Sequence, residues 1–517
     1  MQRKILLGNE AIARGAYEAG CRVATAYPGT PSTEILEAMA AAYRGIKSQW
    51  SPNEKVALEV ACGAAIAGAR SLAAMKHVGL NVAADPLFTF SYTGVNAGLV
   101  IINADDPNAW SSQNEQDNRH YARAAKLPMI EPSDPAEAKE YTKYAFDLSE
   151  EYDRPVLVRI TTRIAHSQGI VALDDPKDVP LKPFVRNPQK FVMLPSHARP
   201  RHIFIEEQLV KLKALSNASP LNRIEMGKTK RGIITNGVAY QYVKETCPED
   251  SILRIGFIWP LPDDLIRTFA DSVDELYVVE ELDPFIEDYV RAMGYAPIGK
   301  KIIPLTFELT PEIVDKALNG TTYPTAPLYS GTIPPRPPAL CKGCPHGFVF
   351  DVLKKLDVTV NGDIGCYTLA ALPPYNAMHS QGCMGASISM HLGFEKAQGD
   401  EMARNSVAVI GDSTFIHSGI TPLIDLVYNK GTGTVLILDN RVTAMTGHQE
   451  NPVTGKTLMG EDTYEIKLEE LCRAVGVKRV RVVDPKNTAE FEAVVREEVA
   501  APEPSVIISL RKCILKK

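Results

Sequence analysis

With 517 residues, 45% hydrophobic and 23% charged, the chain is long enough for several domains, each with its own core. A net charge of −6 supplies no basic footprint for nucleic acid or an anionic membrane, so neither is an expected partner. Nine cysteines, an odd number, and an N-terminus (MQRKILLGNEAIARGA) without the apolar core or cleavage site of a secretion signal point to the reducing cytoplasm.

In chain order, helix-like periodicity over Ala11–Ala19, Thr33–Ala42 and Lys55–Ala69 alternates with β-rich runs. The runs are Arg22–Ala26, Ser71–Met75, Leu99–Ala104, Pro128–Glu131 and Pro155–Thr161. This βαβα rhythm over residues 1–185 predicts a doubly wound parallel sheet. Residues 86–104 carry no charge, but Pro86, Ser91, Gly94, Asn96 and Gly98 interrupt them, which predicts a helix–turn–strand passage rather than a membrane span. Residues 186–230 read as a linker or arm. A second α/β block over 231–322 has strands at Gly232–Asn236 and Glu275–Val279 and a helix at Pro311–Leu318. The Pro-rich run within 323–338 predicts an extended connector. The last block, 339–517, returns to β/α alternation, with strands at Ser406–Ile410, Thr434–Leu438, Val480–Val483 and Ser505–Leu510.

The segment SVAVIGDSTFIHSGITPLIDLVYNKGTGTVLILDNRVTAMTG concentrates the chemistry. An apolar strand ends in Gly411-Asp412-Ser413. A helix follows, expected to be capped by Thr421 with Pro422 at its first position and to stop at Gly431. A second apolar strand ends in Asp439-Asn440. One strand–helix–strand unit places Asp412 and Asn440 at the carboxyl ends of parallel strands, where open α/β sheets bind ligands. Mg²⁺ takes oxygen ligands in octahedral array, and Asp412, the Asn440 amide and the Val442 carbonyl would supply three beside a diphosphate. Taken singly, Gly-Asp-Ser and Asp-Asn are ordinary βα turns. Together they resemble the thiamine-diphosphate signature, Gly-Asp-Gly followed at similar spacing by Asn, with Ser413 in place of its last glycine.

Thiamine enzymes also require a glutamate facing the aminopyrimidine ring. Ser51-Pro52-Asn53-Glu54 opens a helix rich in small residues, KVALEVACGAAIAGARS. Ser-x-x-Glu is equally a capping box, which would make Glu54 part of a helix N-terminal cap and nothing more. The small face formed by Gly63, Ala64, Ala67 and Gly68, together with Glu54 lying nine residues before Gly63, resembles the pyrimidine-domain helix of the superfamily. Glu59 is the fallback.

Over nearly its whole length the chain resembles the large subunit of indolepyruvate (arylpyruvate) ferredoxin oxidoreductase, a relative of pyruvate ferredoxin oxidoreductase. The markers are LLGNEAIARGA (6–16), TAYPGTPSTEI (25–35), NEKVALEVACGAAIAGAR (53–70), MKHVGLNVAADPL (75–87), SSQNEQDNR (111–119), CKGCPHG (341–347), NGDIGCYTL (361–369), CMGAS (383–387) and the segment above. The resemblance implies an α/β fold of three domains. A pyrimidine-type (1–185) and a diphosphate-type (339–517) doubly wound parallel-sheet domain would flank a smaller transketolase-C-terminal-like α/β domain.

It also implies site residues. Thr30, in a loop that is otherwise a simple turn, would lie beside the substrate carbonyl, and Lys76, His77 and Arg119 would contact substrate, although a lone histidine is more often structural. Asp363, Gly365 and Cys366 would run under the cofactor; Met384, Gly385 and Ala386 would support its bend; Gly411, Asp412, Ser413, Asn440, Thr446 and Gly447 would surround the diphosphate. Implied cofactors are thiamine diphosphate and Mg²⁺. Implied partners are a smaller β subunit, ferredoxin or another electron carrier, coenzyme A and an aryl 2-oxoacid, with a homodimer core inside a heterotetramer.

Two departures stand out. Longer members end in repeated C-x-x-C-x-x-C-x-x-x-C motifs for iron–sulfur clusters. Here Cys341-Lys342-Gly343-Cys344 is the only such pair and reads as a structural turn, so the clusters are expected on a partner. Around Trp110 and Gly347 the family's His and Arg are missing, which points to altered substrate or acceptor choice. Two rival functions follow: a decarboxylase releasing aldehyde, and a non-catalytic thiamine-diphosphate scaffold.

Overall fold

The computed structural model describes residues 2–323, 334 and 336–516, so the expected connector at 323–338 falls largely outside the described residues. The chain divides into two compact units between residues 327 and 328. Both are α/β with predominantly parallel sheets. Among the described residues no helix is long and apolar enough to cross a membrane.

The first unit carries a seven-stranded sheet in the order Phe257–Trp259, Met129–Ile130, Val156–Thr161, Leu99–Asp105, Ser71–Lys76, Val23–Ala26, Lys47–Trp50. All neighbours run parallel except the first pair. Leu99–Asp105 (LVIINAD) and Ser71–Lys76 (SLAAMK) are buried at every position, as central parallel strands covered by helices on both faces must be. The charge-free passage becomes the helix Ala84–Thr93 followed by the strand Leu99–Asp105. A four-stranded sheet orders Glu275–Val279, Arg231–Asn236, Ser251–Ile255 and Arg223–Glu225. One core cluster holds Leu58, Met75 and Ile101 together with Ile234, Leu253, Ile258 and Phe269, so the two sheets share apolar packing. Residues 186–230 hold a 24-residue helix, Pro195–Ala218, where the sequence suggests a linker or arm. Its prolines at 195 and 200 hide the periodicity, yet Ile205 and Leu212, seven apart, bury one stripe.

The second unit is a six-stranded, all-parallel sheet: Ser380–Gln381, Thr359–Gly362, Ser406–Gly411, Thr434–Asp439, Ser505–Leu510, Arg479–Val483. SVAVIG and TVLILD are fully buried and adjacent, so their carboxyl ends emerge side by side. The helix between them starts at Asp412 and passes through a π-turn, Phe415–Gly419, into Ile420–Tyr428. Thr421 therefore lies inside the helix and is not its cap. The chain turns helical directly off the strand, and Gly419 permits the widened turn: a Cβ there would stand 2.8 Å from the Ile410 Cδ1.

Candidate functional site

In the first unit, Asn53 caps the helix Glu54–Ile66, its side chain accepting from the Val56 N–H at 2.9 Å. Ser51 is occupied elsewhere: its N–H donates to the Ala26 carbonyl and its hydroxyl accepts from Gln49. The capping-box alternative for Glu54 thus falls. The Glu54 carboxylate is buried and rests on Gly79, where a Cβ would stand 2.7 Å from Oε1. Glu59 is half-exposed and pairs with Lys55, so the fallback is a surface ion pair.

Lys76 ends its strand beside this carboxylate. Burial pushes its pKa down to about 8, against the opposing pull of Asp106 and Glu54. Its methylenes cover the Tyr27–Thr30 loop, 3.3 Å from where a Gly29 Cβ would be, and its Nζ donates to the Ser111 carbonyl at 2.9 Å. Ser111 returns a hydroxyl hydrogen bond to the Thr30 carbonyl at 3.2 Å. His77 is fully buried; Nε2 meets the Asn114 carbonyl at 3.1 Å, which fixes the proton on Nε2, and among the described residues Nδ1 has no hydrogen-bond partner. Burial, then the Lys76 charge, push His77 down to about 4, so it is neutral at physiological pH. Glu54, Thr30, Lys76 and His77 are thereby linked in one region.

The sequence reading missed Asp106. Its carboxylate accepts from the Ser111 N–H (2.8 Å), the Ser112 hydroxyl (2.6 Å) and the Thr162 hydroxyl (2.7 Å), which shapes the loop over Lys76. Asp105-Asp106 at a strand's carboxyl end was the available signal. Arg119 is corrected. It is wholly buried, its guanidinium bonded to Asp117, Glu280 and the Glu281 and Asp283 carbonyls, so it is held by the protein's own acceptors rather than set out for a substrate. A buried guanidinium must be paired, and here it joins the two sheets of its unit.

In the second unit, Asp412 and Asn440 sit buried at neighbouring strand ends, with Val442 just beyond. Among the described residues, Asp412 Oδ2 is buried without a hydrogen-bond partner. Burial, then the nearby Asp439 carboxylate, push Asp412 upward. A buried carboxylate oxygen left unsatisfied among like charge fits a cation, and the Asn440 amide and Val442 carbonyl are oxygen donors of the kind Mg²⁺ takes. Ser413 accepts from the Thr443 hydroxyl at 2.9 Å, tying the two turns together. Gly411 gives its N–H to the Tyr367 hydroxyl at 2.9 Å, and a Cβ there would stand 2.9 Å from that ring. Thr446 and Gly447 lie in the tight loop closed by the Thr443–Gln449 bridge; the Thr446 hydroxyl donates to Gln449 at 2.6 Å.

Asp363 caps a helix: its oxygens accept from the N–H groups of Ile364 (2.9 Å), Gly385 (2.9 Å) and Ser387 (3.0 Å). It therefore braces Gly365 and the Met384-Gly385-Ala386 bend. Gly385 needs its glycine, having φ +88° and Ser418 at 2.6 Å from a Cβ.

The cysteines carry a feature that no local motif shows. Cys341 and Cys344 are not an isolated pair. Burial, then Cys344, Cys513 and Cys341, push the Cys366 thiol up to about 11, and Cys344 likewise feels Cys341 and Cys513. Four thiols from three distant segments thus feel one another's charge. Among the described residues no three of these sulfurs lie as close together as ligands of one ion do. Four cysteine thiols are the kind of ligand set that an iron–sulfur cluster takes. The sequence hid this because Cys366 and Cys513 lie outside any local motif.

Two family models match. One, thiamine pyrophosphate enzyme, C-terminal TPP binding domain, covers residues 363–509. The other, pyruvate flavodoxin/ferredoxin oxidoreductase, thiamine diphosphate-binding, covers residues 14–211. The paired strand ends and the separate glutamate-bearing sheet thus belong to a thiamine-diphosphate-dependent 2-oxoacid oxidoreductase subunit. The indolepyruvate oxidoreductase subunit IorA of Archaeoglobus fulgidus is 41% identical over 99% of this chain and 87% of its own. That of Thermococcus kodakarensis is 41% identical over 100% of this chain and 86% of its own. The chain belongs to the indolepyruvate oxidoreductase IorA family. A solved 2-oxoglutarate:ferredoxin oxidoreductase from Magnetococcus marinus shares the fold, with TM-score 0.53 and 17% identity over 62% of this chain and 65% of its own.

Proposed function

We propose that this chain is the catalytic α subunit for oxidative decarboxylation of aryl 2-oxoacids (indolepyruvate, phenylpyruvate, hydroxyphenylpyruvate) to acyl-coenzyme A and CO₂ in the cytoplasm. A smaller β subunit completes it, in a heterotetramer with two copies of each chain, and ferredoxin or another low-potential carrier takes the electrons. The observation that carries this is the 41% identity to an IorA protein over 99% of this chain combined with a buried glutamate, lysine and neutral histidine in one region.

Residues 1–185 serve as the pyrimidine-binding part and residues 339–517 as the diphosphate part. Bound thiamine diphosphate supplies the nucleophilic carbon and electron sink for decarboxylation, and Mg²⁺ the charge that anchors its diphosphate. Asp412, Asn440 and the Val442 carbonyl hold the cation; Ser413, Thr446 and Gly447 line the diphosphate. Glu54 exchanges a proton at the aminopyrimidine ring through its buried carboxylate. Lys76 presents a charge to the substrate carboxylate, Thr30 orients the keto oxygen, and His77 offers its Nδ1 lone pair to a proton. The four thiols of Cys341, Cys344, Cys366 and Cys513 hold an iron–sulfur cluster on this chain, the first station for electrons leaving the site.

The test is anaerobic turnover of phenylpyruvate by the chain co-expressed with its small partner. Thiamine diphosphate and Mg²⁺ are supplied, with and without coenzyme A and a low-potential dye. Acyl-coenzyme A with reduced dye is expected. Aldehyde without dye reduction would overturn the assignment in favour of a decarboxylase. Iron and sulfide analysis, with loss of both in Cys366→Ser, tests the cluster.

A further inference from the structure

The Asn440 amide has a partner that neither metal-binding turn supplies. His346, 4% exposed, sits two residues after Cys344, in the first turn of the helix Pro345–Leu356. Its Nε2 lies 3.3 Å from the Asn440 Nδ2, while the Val442 N–H donates to the Asn440 Oδ1 at 3.3 Å. Because the Val442 N–H can only meet an oxygen, the amide orientation is fixed. Nδ2 must then donate, so the His346 Nε2 accepts and the ring carries its proton on Nδ1. The ring is held edge-on against Tyr367, centroids 5.8 Å apart at 81°. Tyr367 accepts from the Gly411 N–H and donates to the Ile364 carbonyl, each at 2.9 Å. One packed pair of rings therefore reaches both turns, His346 at Asn440 and Tyr367 at Gly411.

We propose that His346 is a positioning residue for the diphosphate-bound cation: by accepting from the Asn440 Nδ2 it turns the amide oxygen, with the Val442 carbonyl beside it, toward the metal. This rests on the reading of Asn440 as a metal ligand. Without His346 the amide would be held by the single, long Val442 hydrogen bond, and an amide that turned over would present its N–H₂ group, which repels a cation. Ligand-orienting partners outside the coordination shell typically govern about 10–100-fold in metal affinity. Cys344 and His346 share one turn, and the His346 N–H bonds the Cys344 thiol.

The experiment uses the full chain with its small partner, stripped of cofactor, and titrates thiamine diphosphate calorimetrically at graded Mg²⁺ concentration. His346→Phe keeps the ring against Tyr367 but has no acceptor; it is expected to raise the Mg²⁺ half-saturation about 10–100-fold. His346→Gln, whose amide oxygen can accept from Nδ2, is expected to restore it to within about threefold. In the Asn440→Ala background His346→Phe should add no further loss, because the interaction it removes is already gone. Wild-type Mg²⁺ dependence in His346→Phe, or equal impairment in Phe and Gln, would overturn the positioning role while leaving the metal site intact. Unchanged Mg²⁺ dependence in Asn440→Ala would instead overturn the metal reading and this inference with it.

Discussion

The two units prepare for ligands in opposite ways. Around Glu54 the preparation is steric and electrostatic. A helix cap frees the carboxylate, Gly79 lets it settle against backbone, and Lys76 places a positive charge near it. Around Asp412 the preparation is a deficit: strand ends place carboxylate, amide and carbonyl together and leave one buried oxygen unsatisfied beside another carboxylate. A region that must move protons is built with opposite charges close together. A region that must hold a cation is built incomplete, because the ion itself supplies the missing partner.

The sharpest break of this contrast is Glu54→Gln. Turnover should fall on the order of 10³-fold, within the range that general acid–base groups contribute, while calorimetric affinity for thiamine diphosphate changes little. Asp412→Ala should do the reverse. Cofactor affinity should fall more than about 100-fold, beyond the range of outer-shell changes, and excess cofactor with Mg²⁺ should recover part of the turnover. If both variants fail in the same step, the two regions are not doing different work.

Gly79→Ala tests the steric half alone. A methyl group 2.7 Å from the Glu54 Oε1 must displace the carboxylate, and a shift near 1 Å costs up to about 100-fold in turnover. Melting temperature and cofactor affinity should stay close to wild type. The smallest effect is with pH. Lys76 is protonated below its value of about 8 and loses its charge above it. kcat/KM should therefore decline on the alkaline side, by about tenfold between pH 8 and 9 at most, as a single titrating group allows. Lys76→Met should lower kcat/KM at neutral pH and abolish that limb.

Part of this was legible in order along the chain. Thr33–Ala42, Glu275–Val279 and Ser505–Leu510 match their predicted bounds, and Ser406–Gly411 and Thr434–Asp439 extend theirs by one residue. Strands buried on both faces are written as unbroken apolar runs, so their ends, and with them Asp412 and Asn440, could be read off. Lys47–Trp50, an edge strand of mixed polarity, left no such trace. Nor did the helix at Pro195–Ala218, whose prolines mask its stripe. The cap on the Glu54 helix was misassigned by two residues because Ser51 and Asn53 are both good caps; only the strand end at Trp50, which takes Ser51 into its hydrogen bonding, separates them.

The sequence by itself determined the βα rhythm, the strand-end chemistry and the family, because all three rest on local periodicity and short motifs. Only the tertiary structure decided which polar side chains are spent and which remain. It buried Arg119 among carboxylates, turned Asp363 into a helix cap, set His346 against Asn440 and gathered Cys366 and Cys513 to the Cys341–Cys344 turn. Those outcomes depend on partners brought close by strand pairing and burial, and no local pattern encodes the identity of a neighbour that lies far away in the chain.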